Sequence, residues 1–134
     1  MTTNRSMPPS VVISKLPYPD VREAVDWLCR SLGFKERLRI GDHRAQLTFG
    51  GGSIVVTKQD GASSASFSVM VRVDDVDSHH ERAKQSGARI VSPPADYPYG
   101  ERQYTVEDIG GHHWIFSQTI ADVEPKIWGG ILFE

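Results

Sequence analysis

Ile109-Gly110-Gly111-His112-His113-Trp114-Ile115-Phe116-Ser117-Gln118 lays without a gap over Phe49-Gly50-Gly51-Gly52-Ser53-Ile54-Val55-Val56-Thr57-Lys58. That overlay decides the fold. Each copy reads as a glycine turn feeding a strand, because glycine enters positive φ without strain and the residues after it alternate between two faces. In the later copy, Asp108 through Gly111 turns a hairpin whose first arm precedes it. Tyr104 and Val106 on that arm, with Trp114 and Phe116 on the return, form a face with two large aromatics, which is core. The opposite face carries Gln103, Thr105, His113 and Ser117. It is too polar for core, so it must meet water or a ligand.

Outward from the overlay, the whole order of elements repeats. Residues 11–16 read as a strand that Pro17-Tyr18-Pro19 stops. Asp20 opens a helix with Glu23 three residues later, Val21, Ala24, Val25, Leu28 and Leu32 form its apolar stripe, and Gly33 ends it. Strands follow at 34–40, 44–49 and 53–58, then a linker at 59–66. The second round has a strand at 67–73, a helix at 76–86 capped by Asp75 and ended by Gly87, and a strand at 88–92. A loop through Pro93, Pro94 and Pro98 then leads to the hairpin. Asp20 matches Asp75 and Gly33 matches Gly87, so the copies lie roughly 55–60 residues apart, the mark of a duplicated unit. Residues 1–10, polar and Pro-containing, read as a loose arm.

The composition narrows the class. With 134 residues, 39% hydrophobic, 24% charged and a formal net charge of -2, the chain reads as one globular domain over 1–134. No apolar run is long enough to span a bilayer, and residues 1–10 lack a signal-peptide pattern, so no membrane partner and a cytoplasmic location are expected. Mixed charge argues against a nucleic-acid partner. Cys29, the single cysteine, falls in a helical pattern and reads as a buried, inert thiol.

Paired βαβββ units, Leu32-Gly33-Phe34 at the end of the first helix, Val73-Asp74-Asp75-Val76 opening the second, Gly100-Glu101-Arg102 and Gly111-His112-His113-Trp114 together resemble the vicinal oxygen chelate superfamily. This is the glyoxalase, bleomycin-resistance protein and extradiol-dioxygenase group. The resemblance spans nearly all of residues 11–118. It implies an α+β fold of two βαβββ modules, about 11–58 and 67–118 with a C-terminal tail at 119–134. Their curled mixed sheets would surround a shared cavity with helices on the outer face, and the chain would form a homodimer.

Catalytic members of that group hold a divalent metal through His, Gln or Glu on the first and last strand of each module. Carried onto this chain, the four places fall on Ile13, Val55, Ser68 and Ile115. Aliphatic carbon cannot ligate a metal. A slip of one residue offers nothing better, so no metal and no cofactor are expected. Neither His79-His80 nor His112-His113 can chelate one ion, since neighbours diverge by about 100° on a helix and point to opposite faces of a strand. His79 and His80 read as a solvated helix face, and His112 as serving the hairpin backbone. His113 shares the face of Ile115 and either contacts a ligand or lines the cavity.

Strand parity then places Ile13, Ser53, Val55, Thr57, Ser66, Ser68, Met70, Gln103, Thr105, His113, Ile115 and Ser117 on the cavity side. Tyr97, Tyr99 and Trp128 are rim aromatics, with Tyr99 either packing on its own loop or stacking on a ligand. Arg102 either contacts an anion or, the commoner fate of such an Arg, pairs with Asp108 or Glu107 across the hairpin. The apolar tail residues Ile127, Trp128, Ile131, Leu132 and Phe133 are expected to be covered by the body or by a partner chain. The expected function is metal-independent binding or sequestration of an apolar or aromatic small molecule. The alternative is a lyase, isomerase or dioxygenase, with His113 or Glu101 as the candidate general base of a metal-independent enzyme.

Overall fold

A computed structural model describes residues 4–59 and 68–132. The chain divides into two compact units, 1–65 and 66–134. The first contains β1 (Ile13–Tyr18), α1 (Val21–Trp27), a π-helical segment (Leu28–Leu32), β2 (Lys35–Ile40), β3 (Arg44–Phe49) and β4 (Gly52–Lys58). The second contains β5 (Ser68–Arg72), α2 (Val76–Gln85), β6 (Arg89–Tyr97), β7 (Glu101–Glu107), β8 (His113–Thr119) and a 3-10 turn (Pro125–Trp128). Each unit builds one four-stranded mixed sheet, ordered β1-β4-β3-β2 in the first and β5-β8-β7-β6 in the second. In both, the first and last strands run parallel and the other pairs antiparallel. The duplicated α+β architecture is therefore present in both order and direction.

The helices start where the aspartates stand. Asp20 Oδ1 accepts from the Glu23 amide at 3.1 Å, and Asp75 Oδ1 accepts from the Ser78 amide at the same distance. Gly33 closes the first helical run at φ 87°, a left-handed conformation suited to glycine. In the first unit α1 packs on β3 and β4, burying Leu16, Tyr18, Leu47 and Val56 completely. In the second, α2 packs on β6, β7 and β8, over fully buried Tyr104, Val106, Trp114 and Phe116. Each helix covers one face of its own sheet.

Two strands outrun the proline stops expected for them. β1 continues through Pro17 to Tyr18, and β6 continues through Pro93 and Pro94 to Tyr97. Both are edge strands, where proline's missing donor leaves no ladder bond unmade on the open side. The register of β6 also shifts twice between Ile90 and Ala95, as bulges do.

Residues 4–10 are not a loose arm. Gln46 Nε2 donates to the Ser6 carbonyl at 2.7 Å and Arg37 donates to the Arg5 carbonyl at 3.0 Å. Ser10 Oγ donates to the Gly51 carbonyl at 2.8 Å and lies 2.7 Å from Ser53 Oγ. Polar side chains on the helix-free face of the first sheet thus hold the arm through its backbone. Phe67 and Ser66, most of the 59–66 linker, and Phe133 lie outside the described residues.

Candidate functional site

The helix-free face of the second sheet is assembled by register. Ser68 lies opposite His113, Met70 opposite Ile115 and Arg72 opposite Ser117 across β5 and β8. Across β8 and β7, His113 faces Glu107, Ile115 faces Thr105, Ser117 faces Gln103 and Thr119 faces Glu101. Residues opposite each other in a ladder point to the same side, so these side chains form one surface. Gln103, Thr105, His113, Ile115, Ser117, Ser68 and Met70 are brought together as parity required.

Burial divides that surface. Gln103 and Ser117 are buried, Thr105, His113 and Ile115 are half-buried, and Ser68 and Met70 are exposed, Met70 at 59%. A hydrogen-bond chain runs through the buried part. Tyr99 Oη donates to Gln103 Oε1 at 3.2 Å, Gln103 Nε2 donates to Ser117 Oγ at 3.0 Å, and Ser117 Oγ donates to Glu101 Oε1 at 2.6 Å. Bonds from Ser117 and then Thr119, with Arg72 nearby, hold the Glu101 carboxyl below its ordinary range. Glu101 is therefore a fixed acceptor in this chain of bonds.

At the Tyr97 end of β6 the rings of Tyr97 and Tyr99 stack at 5.6 Å, and Tyr99 meets Trp128 at 5.5 Å. Tyr99 thus packs within its own loop cluster and also joins the polar chain. His113 Nε2 lies 3.3 Å from Glu107 Oε1, and Glu107 in turn reaches Arg89 at 3.6 Å. Sequence reasoning missed Glu107 as a partner for His113, and it missed Arg72 and Thr119 beside Glu101. Parity contained the signal, since each shares a face with the residue it serves: Glu107 and Thr119 lie in the same ladder row as their partners, and Arg72 lies one row away from Glu101.

In the first unit, Ile13 and Val55 lie on the helix-free face, in the rows Ile13–Ser53 and Lys15–Val55. Val55 and Ser53 are buried there and Ile13 is half-buried, on the face that residues 4–10 engage. The four places that carry metal donors in catalytic members of the resembled family hold three aliphatic side chains and one hydroxyl. Such a donor set does not fit a metal. Among the described residues, no group of three or more His, Cys, Asp or Glu side chains is arranged to hold one.

Other expectations need correction. His79 is not a solvated residue: its ring lies 3.9 Å from that of Phe116, and Nδ1 is 2.6 Å from Tyr104 Oη. Only Val76 and Ala83 of α2 are buried apolar residues, so the imidazole fills the gap between helix and sheet. His80 likewise meets the Tyr104 ring edge at 5.2 Å. Burial pushes the Tyr104 phenol well above its usual range.

Arg102 pairs with Asp96 at 2.7 Å and Asp77 at 3.0 Å rather than with Glu107 or Asp108. The cause is that Asp108 turns inward, accepting from the amides of Gly110 and His112 and from Trp114 Nε1. Cys29 is half-buried with its thiol pKa raised, first by desolvation and then by Glu36, as an unreactive thiol requires. In the single chain Ile127, Ile131 and Leu132 are each more than 70% exposed.

Comparison with known proteins places the chain in a class. The model of the Glyoxalase/Bleomycin resistance protein/Dioxygenase superfamily matches residues 10–116, and the chain belongs to that superfamily. An uncharacterized protein of Mycobacterium bovis is 30% identical over 114 residues, covering 85% of this chain and 70% of the relative. A Mycobacterium tuberculosis relative is matched at the same identity, but the chain spans only 63% of its length. Among solved structures, TioX from Micromonospora sp. ML1 is 39% identical with a TM-score of 0.75, covering 82% of this chain and 98% of TioX. TnmS3, an antibiotic binding protein from Streptomyces sp. CB03234, shares the fold at 24% identity and a TM-score of 0.70, covering 84% of this chain and 98% of TnmS3.

Proposed function

We propose that this chain is a small-molecule-binding protein that holds or sequesters an apolar or aromatic compound without a metal. The compound lies against the open face of the second sheet. The observation that carries the reading is the make-up of that face. Half-buried Ile115 and exposed Met70 stand beside a hydrogen-bonded chain of Tyr99, Gln103, Ser117 and Glu101. Such a wall gives packing area with a few fixed polar contacts, the usual recipe for a neutral organic ligand. The Tyr97, Tyr99 and Trp128 rings add an aromatic border. The antibiotic-binding description of TnmS3 supports the ligand class at the level of a shared fold. The reading takes residues 1–134 as one domain, cytoplasmic and homodimeric, the dimer being checked by light scattering.

A second reading is a metal-independent lyase or isomerase. The contact between His113 and Glu107 favours it, since a carboxylate can orient an imidazole base. A dioxygenase would need metal donors where Ile13, Val55, Ser68 and Ile115 stand. The test is a thermal-shift screen with uncharged fused-ring aromatics bearing hydroxyl and carbonyl groups, because a ligand that binds only the folded state raises its stability. Binding compounds are expected to lose their effect in Ile115→Lys and keep it in His113→Ala. A panel without a single stabilising compound contradicts the binding reading, and turnover that disappears in His113→Ala establishes the enzyme.

A further inference from the structure

The first unit has a cleft that the proposed function does not use. It has a volume of about 490 Å³, and Lys15, His43, Arg44, Thr57, Lys58 and Gln59 line it together with Pro17. Register explains why these side chains converge. Pro17 lies opposite Thr57 across β1 and β4, and Thr57 lies opposite Arg44 across β4 and β3, so one row crosses three strands. Lys15 sits on the same face two residues before Pro17. His43 closes the turn that precedes Arg44, and Lys58 ends β4.

Three permanent cations therefore surround one depression, in a chain whose formal net charge is -2. Among the described residues, no carboxylate lines it and none forms an ion pair with Lys15, Arg44 or Lys58. Other cations of the same unit behave differently: Arg22 and Arg39 both close on Glu36. Like charges gathered around one depression repel, and a concave wall of one sign concentrates the field. An anion in the cleft would relieve the repulsion and gain charge-assisted hydrogen bonds.

We propose that this cleft is a binding site for an oxyanion, a phosphate or carboxylate group, either free or carried by a small organic molecule. The site lies wholly in the first unit and does not depend on the ligand wall of the second. Its failure leaves that wall untouched.

The experiment is calorimetric titration of the full chain with inorganic phosphate, phenyl phosphate and benzoate at low salt. The same titrations are run on Lys15→Gln/Arg44→Gln and on Lys84→Gln, an exposed cation of α2. Saturable binding is expected, weakened about tenfold or more in the double variant and unchanged in Lys84→Gln. Phosphate matching phenyl phosphate assigns the site to a free anion, while a clear preference for phenyl phosphate or benzoate assigns it to an anionic group on an organic ligand. The double variant, relieved of repulsion, is expected to melt no lower than wild type without anion. Absence of saturable binding by all three probes, or equal weakening in both variants, overturns the proposal.

Discussion

Glu36 stands between two guanidinium groups: Arg39 donates to it through Nε at 3.1 Å and Nη2 at 3.0 Å, and Arg22 donates through both terminal nitrogens. Hydrogen bonds from Arg39 and then Arg22 lower its pKa from 4.5 to about 2. With the folded-state pKa depressed, the unfolded chain binds more protons in between. The stabilisation is therefore full above pH 4.5 and drains as pH falls toward 2. Allowing for solvent screening, it amounts to on the order of 1–2 kcal/mol. Urea denaturation is expected to find Glu36→Gln less stable than wild type by about that much at pH 7, with the gap narrowing at pH 3. At this scale the sequence was partly legible. Parity sorted Tyr104, Val106, Trp114 and Phe116 from Gln103, Thr105, His113 and Ser117, because the two faces differ in polarity. It did not reveal that Gln103 and Ser117 would satisfy each other, nor that Arg102 would reach Asp77 on the helix, since such pairings depend on side-chain reach between elements.

Among the elements, the loop between β6 and β7 and the chain leaving β8 constrain each other. Gly100 has φ 84°, and a Cβ there would run into the Ala121 carbonyl oxygen. Its own carbonyl accepts from the amides of Ile120 and Ala121 at 2.9 and 3.3 Å. A side chain at Gly100 would both strain the turn and lift residues 120–121 away. Gly100→Ala is expected to cost about 2–3 kcal/mol and to speed hydrogen exchange at the Ile120 and Ala121 amides, whereas Gly50→Ala, where a Cβ meets open space, is expected to cost less despite its own positive φ. Strand and helix identities were readable from alternation and capping residues. The ends of β1 and β6 were not, because a proline stops a strand only where its missing donor matters, and sequence does not announce which strands are edges. The polarity of α2 misled for a related reason: a helix with little apolar surface recruited His79 against Phe116.

For the molecule as a whole, duplication is the organising fact. Two units with the same strand order and the same aspartate-capped helix follow from one repeat, and the superfamily match over residues 10–116 agrees with it. The repeat was legible because turn glycines and caps recur in register. The basic cleft of the first unit was not, since its lining comes from three strands and a turn that only pairing brings together. Under the proposed function, ligand recognition rests on packing and hydrogen bonds, because the side chains of Ile13, Val55, Ser68 and Ile115 offer no metal-donor set. The most direct test is the affinity, by calorimetry, of an aromatic compound from the screen for protein before and after exhaustive chelation with EDTA. The same Kd is expected in both preparations; a large loss of affinity after chelation, restored by adding back a divalent transition metal, would overturn metal-independent recognition.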